Sequence, residues 1–289
     1  MFGDLYYHYP AYLTTRCKLG RKRKNIISHC LKRKTLQQKL NQRLGLWRSI
    51  LIYHGIPFRN RRLAEFYRPF IQPGDICFDI GSHVGNRLTA WTKLGARVVA
   101  LEPQPQLMSF LQKWFGHRPD IILLQEAAGA VPGEAQMYVS TRIPTVTSLS
   151  QSWINKVRQE HPFSRIQWDQ ELTVKVTTLD QLIQKYGHPS FCKIDVEGFE
   201  LQVLQGLSYP IPTLSFEYIP ATMALAHDCI AELNRIDHYR YNWSVGESHH
   251  LQSKTWLTSQ EMLNTLSTRR ANGRSGDIYA RLDSKQSGE

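Results

Sequence analysis

Cysteine is scarce in this chain, and the five that occur, Cys17, Cys30, Cys77, Cys192 and Cys229, form no C-x-x-C pair. An odd count without metal-ligand spacing argues against a disulfide framework and a zinc site, and points to a reducing compartment. Long apolar runs are missing too: no stretch of 18 apolar residues occurs, and the start MFGDLYYHYPAYLTTR lacks the basic-then-apolar layout of a signal peptide. A spanning segment or secretion is therefore not expected, and the expected localisation is cytoplasmic. Acidic residues are nearly absent from the first 70 positions, where 16 Lys/Arg face 2 Asp/Glu, whereas positions 71–289 hold 20 against 22. The net charge of +12 thus belongs to the front of the chain, and the body carries no excess that would mark a nucleic-acid surface.

What is present is ample for a folded body, since 289 residues with 42% apolar content can bury a large core. Residues 1–55 read as a basic extension. GRKRK (20–24) and LKRK (31–34) precede a stripe of Leu36, Leu40, Leu44, Trp47 and Leu51, spaced as one face of a helix. The stripe is expected to pack on the body. The Lys/Arg clusters leave open a peripheral contact with anionic membrane through residues 16–48, or with RNA. From 56 to 283 the pattern is that of one α/β domain, with 284–289 as a tail. Buried-strand runs at 76–80, 97–101, 121–124, 191–195 and 213–216 alternate with helical segments at 86–94 and 105–115, and after the Thr178/Gln181 cap. A helix near 222–236, a strand near 239–243, a capped helix at Thr258-x-x-Glu261 and a closing strand at 277–282 follow. Such an order predicts an open, doubly wound, mostly parallel sheet. Residues 134–177 break the rhythm and read as an insertion on the substrate side.

In open α/β sheets ligands sit outside the carboxyl ends of the strands. The first strand ends in Asp79-Ile80-Gly81-Ser82-His83-Val84-Gly85, and the second in Glu102, 21 residues after Gly81. A carboxylate there can accept both hydroxyls of a ribose, which points to a nucleoside cofactor. The dinucleotide fingerprint G-x-G-x-x-G fails, because His83 and Asn86 occupy the second and third glycine positions, and no phosphate-binding G-x-x-x-x-G-K-[ST] occurs. An acidic strand end with a looser glycine turn suits S-adenosylmethionine, which has no phosphate to cradle. The second constellation is Lys193-Ile194-Asp195-Val196-Glu197-Gly198-Phe199-Glu200, a cation and three carboxylates at one strand-to-helix junction. Glu200 there suits the positive end of a helix, while Asp195 and Glu197 are candidates for chemistry.

The succession FDIGSHVGN (78–86), VVALEPQPQ (98–106), VTTLDQL (176–182), KIDVEGFELQVLQG (193–206) and LSFEY (214–218) resembles the FkbM family of S-adenosylmethionine-dependent methyltransferases. The family commonly has Ala-Asn where this chain has Ser82-His83. What the resemblance implies is a Rossmann-like class I methyltransferase fold that methylates a hydroxyl oxygen on a sugar, glycan or secondary metabolite. Together with the strand-end logic it assigns Asp79, Gly81, Ser82, Gly85 and Asn86 to the cofactor turn, Glu102 to the ribose, and Glu126 with Ala127 to the adenine.

Methyl transfer from a sulfonium leaves the protein to align the acceptor and remove one proton. Asp195 is the expected base, with Glu197 and Glu217 orienting the acceptor, and Lys193, paired with one junction carboxylate, completes the expected catalytic set. A divalent cation held by Asp195, Glu197 and Glu217 competes for the same residues, though no metal is expected, and His83 ranks third as a base. Two rival functions remain: an RNA methyltransferase gripping phosphates with the extension, and a non-catalytic module at a membrane surface or scaffold. Neither the acceptor nor the oligomeric state is legible.

Overall fold

The computed structural model describes residues 44–51, 59–160, 163–268 and 274–283. Seven strands form the main sheet: β1 (Ile76–Ile80), β2 (Arg97–Leu101), β3 (Ile121–Leu124), β7 (Phe191–Ile194), β8 (Thr213–Tyr218), β9 (Tyr239–Trp243) and β10 (Gly276–Leu282). Their spatial order is β3-β2-β1-β7-β8-β10-β9. The first five run parallel, and β10 lies antiparallel to both β8 and β9. The order reverses beside β1, so the ends of β1, β2 and β7 open onto one crevice, where this topology places its ligands.

The strands read as unbroken apolar runs because both faces are covered, and alternate residues divide between two cores. Phe78, Ile80, Val99, Leu101, Cys192 and Ile194 enter one core, against α6 (Leu179–Tyr186), α7 (Glu200–Leu204), α8 (Met223–Ile236) and α9 (Ser259–Thr268). Cys77, Val98, Ala100 and Phe191 enter the other, against α2 (Arg59–Tyr67), α3 (Asn86–Lys93) and α4 (Pro105–Phe115). There Tyr67, Trp91 and Phe191 meet edge to face at 5.2–5.5 Å between ring centres, an arrangement that adds to their burial. Both expected caps form: Thr178 Oγ1 accepts from the Gln181 amide at 3.1 Å, and Thr258 exchanges bonds with Glu261.

Residues 127–177 build a second, three-stranded sheet ordered β4-β6-β5, from β4 (Ala127–Ala128), β5 (Gly133–Val139) and β6 (Gln170–Thr177). Between β5 and β6 lie the 3-10 turn Pro144–Val146 and α5 (Gln151–Val157), whose Trp153 and Ile154 form a small core of their own.

The Leu stripe corrects an expectation. Residues 44–51 are helical (α1), but Leu44, Trp47 and Leu51 are exposed. Leu46 and Ile50, on the opposite side, pack against the core that α2, α3 and α4 cover. The stripe followed the longer apolar repeat, whereas the body takes the shorter pair flanked by Gly45 and Ser49, whose small size allows close approach. Leu36, Leu40 and both Lys/Arg clusters lie outside the described residues. Among the described residues no helix is long and apolar enough to cross a membrane. Cys77, Cys192 and Cys229 are buried free thiols.

Candidate active site

The turn after β1 is shaped by its contact with β7. Gly81 sits at φ +86°, and a Cβ there would lie 1.9 Å from the backbone oxygen of Asp195. Only glycine lets the two strand ends approach this closely. The amides of Gly81 and Ser82 both donate to the Leu101 carbonyl, at 3.0 and 2.9 Å, and the Ser82 hydroxyl donates to the Asp79 carbonyl at 2.8 Å. Gly85, at φ +72°, caps α3.

Glu102 lies at the end of β2. Its two carboxylate oxygens accept from the amides of His83 and Gln104, each at 2.9 Å, so one side chain ties the β1 turn to the β2 exit. It is 97% buried, and that burial pushes its pKa up to about 8 against the pull of the two amide donors. Gln104 extends the tie: its amide nitrogen donates to the Pro144 carbonyl and its oxygen accepts from Thr147 Oγ1, both at 3.3 Å. The small sheet's loop is thereby anchored over the crevice.

These elements enclose a cleft of about 810 Å³, counting the part open to solvent. Of the residues expected to bind cofactor, Gly81, Asn86, Glu102, Glu126 and Ala127 line it; Asp195 and Glu197 line it as well. Asp79, Ser82, Gly85, Lys193 and Glu217 are not among its walls. Asp79 is buried beneath it, among Arg87, Asp195 and Lys193, and burial pushes its carboxyl up. Sequence reasoning missed Arg87, Gln104, Pro144, Thr147 and Glu247 as wall residues. Gln104 had a signal in its position two residues after Glu102. Arg87 had one as a charge inside an otherwise buried helical face.

The Lys193–Glu200 junction is resolved into distinct tasks. Lys193 is fully buried and donates to Asp277 Oδ1 at 2.5 Å, with Asp195 Oδ2 at 3.5 Å. Burial opposes its charge, but Asp195 and Asp277 outweigh that and hold its pKa above the usual range. Asp195 also accepts from Arg87 Nη2 at 3.4 Å, so two buried cations face it. Glu197 stands in the left-handed region at φ +53°, its carbonyl accepting from Ser148 Oγ at 2.6 Å. Gly198 follows because Trp153 covers it: a Cβ there would lie 2.1 Å from the indole Cγ. Glu200 opens α7 and accepts from the amides of Val196 and Gly198, each at 3.1 Å.

Asp195, Glu197 and Glu217 each offer a carboxylate oxygen within 4.8 Å of the others. Burial, then the charge of Asp195, puts the pKa of Glu197 well above the usual range. Burial, then Glu197, does the same for Glu217. Three carboxylates this close cannot all be charged without a proton or a cation among them.

The profile of the family described as "Methyltransferase FkbM domain" matches residues 79–273. A curated relative, the hexuronic acid methyltransferase AglP of Haloferax volcanii, is 26% identical over 149 residues, covering 49% of this chain and 54% of the relative. The chain thus spans about half the length of that relative. Among solved structures, a TehB-like S-adenosylmethionine-dependent methyltransferase from Corynebacterium glutamicum aligns over 82% of this chain and 94% of its own, with 10% identity and a TM-score of 0.41. Fibrillarin from Aeropyrum pernix aligns over 73% and 68%, with 9% identity and a TM-score of 0.38.

Proposed function

The chain belongs to the family of FkbM methyltransferase domains, which use S-adenosylmethionine, and on that premise we propose that it methylates a hydroxyl oxygen of a sugar, glycan or secondary metabolite. The observation that carries this reading is the meeting, in one cleft, of a nucleoside-type wall at Glu102 with the raised carboxyl of Glu197 just past β7.

The residues present fit the cofactor. Each Glu102 oxygen uses one lone pair on an amide and keeps another for a ribose hydroxyl. Glu126 and Ala127 line the cleft beyond β3, where the adenine is expected, and Gly81 and Asn86 line it at the β1 turn. When bound, the cofactor supplies a methyl group already activated as a sulfonium substituent. The chain must then orient one hydroxyl and hold its proton.

Asp195, facing Arg87 and Lys193, is a fixed anchor for the acceptor. The proton goes to Glu197, a carboxylate whose raised pKa suits removal of a proton from a weak acid. Glu217 shares that proton within the cluster, as paired carboxylates do. This moves the base role two residues on from Asp195, because Asp195 is already engaged by cations. Similarity to a hexuronic acid methyltransferase supports a sugar-like acceptor.

The test is transfer of a radiolabelled methyl group from S-adenosylmethionine to a panel of hydroxylated sugars and glycans. Glu197→Gln should lower turnover by roughly 10²–10⁴-fold while S-adenosylhomocysteine affinity stays near wild type. Activity should rise with pH as the raised carboxylates ionise, and Glu197→Gln should flatten that rise. Wild-type turnover in Glu197→Gln would return the base role to another residue. Cofactor binding without methylation of any hydroxyl compound would reject the acceptor class.

A further inference from the structure

The helix α1 carries apolar side chains on two sides. Leu46 and Ile50 are used by the body. Leu44, Trp47 and Leu51, three, four and seven residues apart, form a second stripe that is 59%, 62% and 66% exposed. Three large apolar side chains on one short helix face make a contiguous patch, the kind of feature that marks an interaction surface. Its setting in the sequence says what it meets: residues 16–48 hold twelve Lys/Arg and no Asp/Glu. An apolar helix face with a tryptophan, preceded by a run of cations, matches the interfacial zone of a bilayer with anionic headgroups.

The position of α1 gives this face a consequence. A Cβ on Gly45 would lie 2.9 Å from Pro144 Cδ and 3.1 Å from the Arg142 carbonyl oxygen, so the helix backbone rests on the loop that carries Pro144 into the cleft wall. We propose that the Leu44/Trp47/Leu51 face docks on an anionic lipid bilayer and holds the rim of the cleft at the membrane surface. The apolar stripe supplies insertion, and the cations supply attraction that salt weakens. A protein of this kind needs no spanning segment to work on a membrane.

Flotation of the full chain with phosphatidylcholine vesicles, with and without phosphatidylserine, tests the proposal. Trp47→Ser combined with Leu51→Ser tests the stripe, and Lys22→Glu combined with Arg23→Glu and Lys24→Glu tests the charge. The substituted stripe residues are exposed, and unchanged S-adenosylhomocysteine binding reports that the fold is kept. We expect wild type to float only with phosphatidylserine and to be released by salt, and each variant to bind roughly tenfold or more weakly. Absence of binding to the anionic vesicles overturns the proposal, as does equal binding by the stripe variant. A dimer in light scattering that the stripe variant splits, with no vesicle binding, would assign the face to a second copy instead. Salt-sensitive binding of single-stranded RNA without vesicle binding would assign the charges to nucleic acid.

Discussion

Replacing Glu102 should separate cofactor binding from folding. In Glu102→Ala the amides of His83 and Gln104 lose their acceptor, and under the proposed ribose assignment the two hydroxyls lose theirs. A hydrogen bond to a charged group contributes about 1.5–3 kcal/mol, so two ribose bonds correspond to about 3–6 kcal/mol. That is roughly two to four orders of magnitude in Kd. Titration calorimetry with S-adenosylhomocysteine reads it directly, beside a melting curve that reports the cost of the two orphaned amides. The proton adds an independent check. Burial holds Glu102 at about 8, whereas two hydroxyl donors favour its ionised form. Binding below that pH should therefore release a proton, and affinity should rise as pH approaches 8 and level off above it. Comparison in buffers of different ionisation enthalpy measures the proton, and Glu102→Gln should abolish its release. A Glu102→Ala protein that folds and binds with wild-type affinity would refute the ribose assignment. Proton release unchanged in Glu102→Gln would move the titration to another group.

The remaining predictions concern charge. Asp195, Glu197 and Glu247 line the cleft, and Arg87, which also lines it, is buried against Asp195. Once Glu197 is ionised, a second negative charge about 6 Å from it costs about 3 kcal/mol at an effective dielectric of 20. A neutral hexoside should thus be methylated with at least about tenfold higher kcat/KM than the matching uronate; equal rates would show that the acidic wall does not select. Lys193→Met leaves Asp277 and Asp195 without their shared buried cation, which should cost about 3–5 kcal/mol in denaturant unfolding. Adding Asp277→Asn should restore part of that loss, and a Lys193→Met protein as stable as wild type would mean that the ion pair is not structural.

The sheet was legible because its strands are short, doubly buried and therefore continuously apolar, and because Thr178 and Thr258 announce their helices locally. The position of Glu102 was legible for a similar reason: one strand end fixes one side chain. What the linear pattern hid depends on contacts between distant segments. Lys193 was expected to pair within its own junction, yet its nearest partner is Asp277, 84 residues on, on a strand two places away in the sheet. Gly198 looks like a turn glycine until Trp153 is seen against it, and no local signal links Gln104 to Thr147. The Leu stripe failed for a different reason. Periodicity reports that a helix has an apolar side but not which of two sides the body takes, and α1 has both. The same logic orders the acidic junction. Asp195, Glu197 and Glu200 are equivalent as letters, but Arg87 and Lys193 neutralise the first and two backbone amides hold the third. Glu197 is left as the carboxylate with a raised pKa, a place in the cleft wall and no such partner to restrain it. The proposed proton transfer thus falls to the residue that the fold leaves uncommitted.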